Sequence, residues 1–412
     1  MHLHSHSSGL TGHISLSGSK SISNRLLILN AVLKQNVVLK NLSDSEDTKL
    51  LTQALQKISA GNSPIIDVNH AGTDFRFLTA LLAATPGKTT LTGSERMKQR
   101  PVGELVNALR TLGADIQYKE KEGFPPLYIS GKLLKGGEVR IRGDISSQFI
   151  SALLLIAPTF ENALKIRIEG DIVSRPYIDM TVAILKSYGI LVNTQPREIS
   201  VQPITADIAT PTEYAVESDW SSASYWYSLA ALSDTVDLTL DYFHGKSLQA
   251  DAVLPEIYKS FGIDTTYTPT GIRLMKAGNP VKTFHFDFRA CPDIAQTVAV
   301  TCLGLGISAS FSGLETLKIK ETDRIVALKH ELEKFGAIVS ITDNSLQLTP
   351  PENGLNMNLQ TIATYHDHRM AMSFAPLCMK TKHLCIDDMN VVDKSYPHFW
   401  KDLAQTNMII IS

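Results

Sequence analysis

Apolar and polar residues alternate along this chain with two different periods, which together predict strands and helices in turn. Short segments with a two-residue alternation, such as 13–16, predict strands. Longer segments carry apolar residues at helical spacing, as at Leu105, Ala108, Leu109 and Leu112. The sequence therefore predicts an α/β protein.

The pattern of strand, polar loop, helix and second strand repeats along the chain. Its clearest copies are 90–117, 166–192, 238–267, 308–341 and 384–411, and a degenerate copy lies at 37–61. Glycines spaced about 75 residues apart are predicted to end four of the helices, at Gly113, Gly189, Gly262 and Gly336. Regular spacing without low complexity predicts six related α/β units.

Each unit contains a second helix that opens in a loop of small or polar residues. These loops lie at 18–21, 71–76, 142–148, 218–222, 292–293 and 367–369. A helix start presents free N–H groups and partial positive charge, which favour a bound anion. At 18–21, Ser19 or Ser21 is a plausible N-cap, and Lys20 and Arg25 flank the turn. Taken alone, that turn is more typical of a capped helix than of a site, and it lacks P-loop spacing.

The repeats divide the chain near residue 216, with three units on each side. The segment 205–218 contains Pro211 and no clear period, as expected for a connection between domains. We expect a first domain at 18–217 and a second domain formed by 1–17 plus 218–412. The first strand, near 2–7, is expected to pair within the second half of the chain.

The composition of the chain argues against some classes of function. The chain has 412 residues, is 43% hydrophobic and carries a formal net charge of −2. This balance argues against binding to nucleic acid or to a membrane surface, because there is no overall positive field. No signal peptide, membrane span or cysteine-based metal site is expected. The four cysteines are expected to be reduced and buried in a cytoplasmic protein, at Cys291, Cys302, Cys378 and Cys385.

Basic residues concentrate at the predicted helix starts, where the helix dipole disfavours cations. They are Lys20, Arg25, Arg76, Arg100, Lys320, Arg324, Arg369 and Lys394. A structural ion pair explains any one of them equally well, but the whole set indicates a site for a small polyanion. Asp293 and Glu321 stand among these cations. Asp293 alone is typical of an N-cap and Glu321 of a surface ion pair, but in a shared cleft both become candidates for proton transfer.

Six motifs, at 18–25, 71–73, 98–101, 143–148, 320–324 and 367–372, closely resemble the 5-enolpyruvylshikimate-3-phosphate synthase family of enolpyruvyl transferases. They follow in order across nearly the whole chain. The resemblance implies two similar domains, each with three βαβαββ repeats in an inside-out α/β barrel, and an active site in the interdomain cleft. It also implies a cytoplasmic monomer of the shikimate pathway, which makes chorismate and aromatic amino acids.

The implied reaction joins phosphoenolpyruvate to the 5-hydroxyl of shikimate 3-phosphate by addition and elimination, without a cofactor or metal. The implied shikimate 3-phosphate contacts are Lys20, Ser21, Arg25, Ser146, Ser147, Gln148, Ser174, Tyr177, Asp293 and Lys320. The implied phosphoenolpyruvate contacts are Lys20, Gly72, Arg100, Gln148, Arg324, Arg369 and Lys394. By resemblance, Asp293 takes the hydroxyl proton, Glu321 exchanges a proton with the methylene carbon, and Lys20 balances charge.

Four residues depart from the usual family pattern: His70, Asp74, Phe77 and Thr316. They leave substrate affinity and sensitivity to glyphosate-like mimics open.

Two alternatives also stay open. A UDP-N-acetylglucosamine enolpyruvyl transferase typically carries a cysteine in a first-domain loop, whereas the first cysteine here is Cys291. A non-catalytic anion-binding protein on the same fold is disfavoured by Lys20, Asp293 and Glu321.

Overall fold

The computed structural model describes residues 1–61, 64–205, 210–406 and 409–411. Part of the segment expected to connect the domains, 206–209, lies outside these residues. The chain divides into two compact units. We call Ser19–Val216 the N-unit, and Met1–Gly18 together with Glu217–Ser412 the C-unit.

The strands of the first half are short and regularly spaced. They are β1 (His2–Ser5), β2 (Gly9–Ile14), β3 (Val38–Lys40), β4 (Ile65–Asp67), β5 (Gly87–Thr92), β6 (Asp115–Tyr118), β7 (Leu127–Gly131), β8 (Gly137–Arg142), β9 (Leu164–Glu169), β10 (Val192–Gln195) and β11 (Glu198–Val201). The remaining strands are β12 (Glu213–Ala215), β13 (Thr235–Asp241), β14 (Ile263–Thr268), β15 (Gly271–Lys276), β16 (Thr283–Asp287), β17 (Ser308–Ser312), β18 (Ile338–Ile341), β19 (Leu346–Thr349), β20 (Thr361–Ile362), β21 (His383–Ile386) and β22 (Ile409–Ile411).

Helices separate these strands. They are α1 (Lys20–Leu33), α2 (Glu46–Ser59), α3 (Gly72–Ala84), α4 (Glu95–Lys98), α5 (Gly103–Thr111), α6 (Ser147–Ile156), α7 (Arg175–Ser187), α8 (Trp220–Leu232), α9 (Leu254–Lys259), α10 (Ala295–Leu305), α11 (Arg324–Glu333), α12 (His368–Phe374), α13 (Cys378–Thr381) and α14 (Phe399–Gln405). Short 3-10 helices lie at Ala157–Thr159, Ala250–Val253, Pro292–Ile294, Glu315–Ile319, Ala375–Leu377 and Asn390–Lys394.

One sheet pattern recurs in both units. A parallel pair of strands is extended by two antiparallel strands, as in β8–β9–β11–β10, where α6 connects β8 to β9 and α7 connects β9 to β10. The N-unit repeats this order in β4–β5–β7–β6 and also holds the parallel pair β3–β12. The C-unit shows it in β2–β13–β15–β14, β16–β17–β19–β18 and β20–β21–β1–β22. This recurrence is the structural form of the repeat seen in the sequence.

The first two strands both belong to the C-unit. β1 pairs antiparallel with β21 and β22, so the first strand pairs within the second half of the chain, as expected, although it ends at Ser5. β2 ends at Ile14, whereas the sequence predicted a strand over 13–16. It ends there because Ile14 pairs with Leu240, and the parallel partner β13 ends one residue later.

The helices that open in small or polar loops form the interior of each unit. Nearly all residues of α3, α8 and α10 are buried, including most of the polar ones. The sixth helix of this set is interrupted: α12 ends at Phe374 and continues as a 3-10 turn over Ala375–Leu377, because Pro376 has no N–H for the helix. No helix in the described ranges combines the length and apolar character needed to span a membrane.

The four predicted turn glycines follow their helices with left-handed backbones. Gly113, Gly189, Gly262 and Gly336 have φ values between 79° and 94°. A side chain disfavours this region, so glycine at these positions permits the turn into the next strand.

Candidate functional site

The start of α1 brings a lysine against an acid of the neighbouring helix. Lys20 Nζ lies 2.9 Å from Asp47 Oδ2, and Asp47 is in the first turn of α2. Ser19 occupies the N-cap position of α1, but its side chain makes no cap hydrogen bond. Sequence reasoning missed Asp47, although the Ser45-Glu46-Asp47 run at a helix start marks it as a candidate.

Arg25 is buried in the N-unit and is held by neutral oxygens. Its Nε donates to Thr181 Oγ1 at 2.7 Å and its Nη1 to the Ser21 carbonyl at 2.8 Å. Its Nη2 donates to Ser151 Oγ and to the Tyr177 carbonyl, both at 3.3 Å. Burial lowers the pKa of Arg25 to about 10, a shift that the phenol of Tyr177 partly opposes. The predicted contacts Ser21, Arg25 and Tyr177 are thus brought together.

The start of α3 is shaped to receive Arg100. A Cβ added to Gly72 would lie 2.2 Å from Arg100 Nη1, so only glycine leaves room for the guanidinium in this position. Arg76 Nη1 donates to the Gly72 carbonyl at 2.8 Å, and its Nη2 to the Pro101 carbonyl at 3.3 Å. The predicted residues Gly72 and Arg100 are therefore in direct packing contact.

The starts of α3 and α6 are joined by one side-chain hydrogen bond. Gln148 Nε2 donates to Thr73 Oγ1 at 3.0 Å, and Ser146 caps α6 by accepting from the Gln148 N–H. Ser147 is buried beside them. Ser174 is the N-cap residue of α7, with a left-handed φ of 54° that non-glycine residues rarely adopt. The N-unit candidates thus cluster at the starts of α1, α3, α6 and α7.

In the C-unit, Asp293 is bound by three cations. Its Oδ1 lies 3.1 Å from Arg324 Nη1 and 3.5 Å from Lys320 Nζ. Its Oδ2 lies 3.2 Å from Arg369 Nη2. Burial opposes the charge of this carboxylate, but Arg369, Lys320 and Arg324 together hold the pKa of Asp293 well below its ordinary value. Asp293 is therefore ionised in the absence of bound anions.

Glu321 belongs to the same ionic cluster. Its Oε2 lies 2.9 Å from Arg324 Nη2, and its Oε1 lies 2.6 Å from Lys394 Nζ. Arg324 completes its bonds with Asp367, whose Oδ2 is 2.6 Å from Nε. All six C-unit candidates are brought together in this cluster: Asp293, Lys320, Glu321, Arg324, Arg369 and Lys394.

Burial and the carboxylates act in opposite directions on the cations of this cluster. Burial lowers the pKa of Lys320 despite the charge of Asp293. Burial also opposes the charge of Arg324, but Asp367 and Glu321 raise its pKa above the ordinary value. Arg324 is thus a fixed cation around which the two candidate proton-transfer acids are arranged.

Sequence reasoning missed a second set of polar residues beside this cluster. Ser221 Oγ donates a short hydrogen bond to Asp251 and accepts one from Arg369 Nη2 at 3.4 Å. Asp251 is buried, and burial, reinforced by the charge of Asp293, raises its pKa to about 7. Asp251 lies in a 3-10 turn with no motif around it, so only the fold reveals its position.

The residues that depart from the family pattern have defined surroundings. His70 Nδ1 lies 2.6 Å from Ser94 Oγ. Asp74 accepts from Asn24 at 2.7 Å, and the Phe77 ring lies 5.4 Å from the Arg25 guanidinium carbon. The hydroxyl of Thr316 is buried without a hydrogen-bond partner among the described residues. Within those residues, no group of three or more potential ligands is arranged to hold a metal ion.

Comparisons with known proteins agree along nearly the whole chain. A family model described as EPSP synthase (3-phosphoshikimate 1-carboxyvinyltransferase) matches residues 5–65 and 55–403. A Bacteroides fragilis protein named 3-phosphoshikimate 1-carboxyvinyltransferase is 47% identical over 393 residues, covering 95% of this chain and 94% of that protein. An Aliivibrio salmonicida protein with the same name is 34% identical over 424 residues, covering 97% and 98%.

A solved structure is also similar. The EPSP synthase of Acinetobacter baumannii superposes with a TM-score of 0.79 at 21% identity, covering 100% of this chain and 99% of that chain. At this identity the likeness bears on the fold alone. It confirms the α/β fold predicted from the repeats.

Proposed function

This chain belongs to the EPSP synthase family, and we propose from that premise that it transfers the enolpyruvyl group of phosphoenolpyruvate to the 5-hydroxyl of shikimate 3-phosphate. Phosphate is the second product. The observation that carries the proposal is the placement of Asp293 and Glu321 on one guanidinium, that of Arg324. Two carboxylates held by a shared cation can serve as separate proton acceptor and donor in one reaction.

In the addition step, the 5-hydroxyl oxygen bonds to C2 of phosphoenolpyruvate and its proton passes to Asp293. A proton from Glu321 is added to the methylene carbon, which becomes a methyl group in a tetrahedral ketal. In the elimination step, Glu321 takes a proton back from that methyl group. The C–O bond to phosphate then breaks, the enol ether forms, and the proton held by Asp293 passes to the departing phosphate.

The low pKa of Asp293 makes it a weak base in the free protein, and bound anions change this. Arg369 and Arg324 are proposed to bind phosphoenolpyruvate, and a substrate anion offsets part of their field at Asp293. The pKa of Asp293 then rises toward the range in which a carboxylate accepts a proton effectively. Substrate binding would thereby make Asp293 an effective base.

The proposed binding contacts fall into two groups. In the N-unit, shikimate 3-phosphate is bound by Lys20, Ser21, Arg25, Ser146, Ser147, Gln148, Ser174 and Tyr177, and phosphoenolpyruvate by Lys20, Gly72, Arg100 and Gln148. In the C-unit, Asp293 and Lys320 contact the former, and Arg324, Arg369 and Lys394 the latter. We propose that the domains predicted at 18–217 and 1–17 plus 218–412 correspond to the two units. A cytoplasmic location and a monomeric state stay predictions.

The proposal is tested by phosphate release from the purified protein. Release is expected only when phosphoenolpyruvate and shikimate 3-phosphate are both present. Replacing shikimate 3-phosphate by UDP-N-acetylglucosamine should give no release, which separates the two enolpyruvyl transferase activities. Binding of both substrates without phosphate release would instead favour a non-catalytic anion-binding protein.

A further inference from the structure

A fully buried chain of hydrogen bonds links three helices of the N-unit. Asn24 Nδ2 donates to Asp74 Oδ1 at 2.7 Å, and Thr48 Oγ1 donates to Asn24 Oδ1 at 2.7 Å. Ser45 Oγ, the N-cap of α2, donates to Thr48 Oγ1 at 3.0 Å. Asn24 and Asp74 have no exposed surface, so these bonds are made away from water.

Each member of this chain lies within two residues of a proposed substrate contact or of the ion-pair partner of one. Asn24 precedes Arg25 on α1, and Thr48 follows Asp47, the ion-pair partner of Lys20. Asp74 lies two residues after Gly72 and follows Thr73, which accepts from Gln148. The buried chain therefore ties together the starts of α1, α2 and α3, the places where Lys20 and Gly72 lie.

The direction of these hydrogen bonds makes the orientation of the Asn24 amide depend on Asp74. Thr48 donates to the oxygen of the Asn24 amide, which turns the amide nitrogen of Asn24 toward α3. Asp74 supplies the acceptor for that nitrogen. A buried amide without an acceptor is costly, so removing Asp74 favours rotation of Asn24 or displacement of α1 from α3.

We propose that Asp74 is a positioning residue that fixes Lys20 relative to Gly72 through Asn24 and Thr48. The proposal rests on the proposed function, since both are assigned there to phosphoenolpyruvate. Asp74 has no exposed surface, so it is expected to act through its neighbours and not by contact with substrate. Its effect is to set the distance between two groups that must grip one anion together, so its loss should weaken phosphoenolpyruvate binding more than the turnover rate.

The test changes Asn24 and Asp74 singly and then exchanges their side chains. Asp74→Ala removes the acceptor, and Asn24→Asp at pH 8 sets two carboxylates against each other. Each single variant is expected to raise the KM for phosphoenolpyruvate about tenfold or more, with a smaller change in kcat. In the double variant Asn24→Asp with Asp74→Asn, the new amide donates to the new carboxylate and Thr48 keeps its acceptor. Its KM should return to within about threefold of the wild-type value.

A control variant removes another side-chain hydrogen bond of α1, which is part-buried. Tyr188 Oη donates to Asn30 Oδ1 at 3.0 Å, further along α1 from its start. Tyr188→Phe should lower the melting temperature without changing the KM for phosphoenolpyruvate. A KM that rises as much in Tyr188→Phe as in Asp74→Ala would overturn the proposal, because any loosening of α1 would then suffice. A double variant no better than Asn24→Asp alone would also overturn it.

Equilibrium binding separates this proposal from the proposed function. The dissociation constant of phosphoenolpyruvate is measured by titration calorimetry with phosphoenolpyruvate as the sole substrate, so that no turnover accompanies binding. If the wild-type protein binds both molecules without releasing phosphate, the enzymatic function fails, but the same variant pattern in the dissociation constant still supports the role of Asp74. Unchanged dissociation constants in Asp74→Ala and Asn24→Asp would overturn that role.

Discussion

The two units hold their buried arginines in opposite ways. In the N-unit, every hydrogen bond of Arg25 ends on a hydroxyl or a carbonyl oxygen, and burial lowers its pKa to about 10. In the C-unit, Arg324 is bound by the carboxylates of Asp293, Glu321 and Asp367, and its pKa is raised above the ordinary value although burial opposes this. Both arginines are only 2% exposed.

This difference separates two tasks. A buried cation held by neutral dipoles keeps a field that a phosphate can neutralise, which suits binding. A buried cation already neutralised by acids holds those acids in place, which suits proton transfer. Lys20, paired with Asp47, is an exception within the N-unit. The N-unit is thus suited to binding anions, whereas the C-unit adds the acids for proton transfer to its own proposed anion contacts.

The largest expected effect breaks the chemistry assigned to the C-unit. Glu321→Gln keeps the size of the side chain, but its single amide oxygen can accept from only one of Arg324 and Lys394, and it cannot deliver a proton. We expect kcat to fall by about 10²–10⁴-fold, the usual contribution of general acid–base catalysis. Phosphate release with both substrates saturating measures the effect.

The control for Glu321→Gln is the affinity for shikimate 3-phosphate, which should stay near the wild-type value because Glu321 is not among its proposed contacts. Full turnover by Glu321→Gln would remove this residue from the mechanism. The cluster around Arg324 would then be structural.

The second prediction compares the two arginines directly. Arg324→Met leaves Asp367, which has no exposed surface, without its cation, and should cost about 3–5 kcal/mol of unfolding free energy. Arg25→Met leaves neutral oxygens without a donor, and should cost about 1–3 kcal/mol. Urea unfolding followed by circular dichroism measures both losses. Equal losses would contradict the contrast between the units.

The fold was predictable because the repeat imposes one pattern on many segments. The starts of α3, α8 and α10 followed from the loops before them, and Gly113 marked the turn into the next strand. Local interruptions were less accessible to prediction. β2 ends within one residue of the end of its partner β13, a limit set by pairing with a strand more than two hundred residues away.

The sequence predicted which residues form the site, but not which of them pair with each other. Helix-start cations such as Lys20 and Arg324 stand out because the dipole disfavours them there. The acid that each one meets lies on another element, as Asp47 does for Lys20. Asp251 was inaccessible for the same reason, since its environment comes from Ser221 and Asp293 on separate segments.

The third prediction tests whether close packing against Gly72 holds Arg100 in the N-unit, in the way that carboxylates hold Arg324 in the C-unit. In Gly72→Ala, the new methyl group would lie 2.2 Å from Arg100 Nη1, so the guanidinium must move. We expect the KM for phosphoenolpyruvate to rise by about 10–100-fold. Steady-state phosphate release measures it. Gly245→Ala is the control, because its backbone is not left-handed and a Cβ there meets nothing nearer than the Tyr267 ring at 4.0 Å. An unchanged KM in Gly72→Ala would remove Arg100 from the binding site.

The fourth and smallest effect concerns Asp251, a C-unit acid whose charge the local cations do not fully offset. Burial raises its pKa to about 7; Asp293 and Asp219 add to the rise, and Ser221 and Arg369 oppose it. The folded protein therefore keeps a proton that the unfolded chain has already lost above its ordinary pKa of 3.8. Stability should fall as pH rises between these two values, by at most about 1.4 kcal/mol per pH unit. Asp251→Asn should remove this dependence, as measured by melting temperatures from pH 4 to 8.

Two measurements show whether the cations of the C-unit also neutralise Asp251. The melting temperature of Asp251→Asn minus that of the wild type should increase as pH rises to about 7 and stay constant above it. Above that pH, Asp251 of the wild type is ionised in both the folded and the unfolded protein. Ser221→Ala removes a hydrogen bond that lowers the pKa of Asp251, so it should move the end of this window to higher pH. A constant difference between Asp251→Asn and the wild type at all pH values would contradict the prediction. In that case the cations around Asp293 also neutralise Asp251, and the C-unit has no surplus of negative charge at this point.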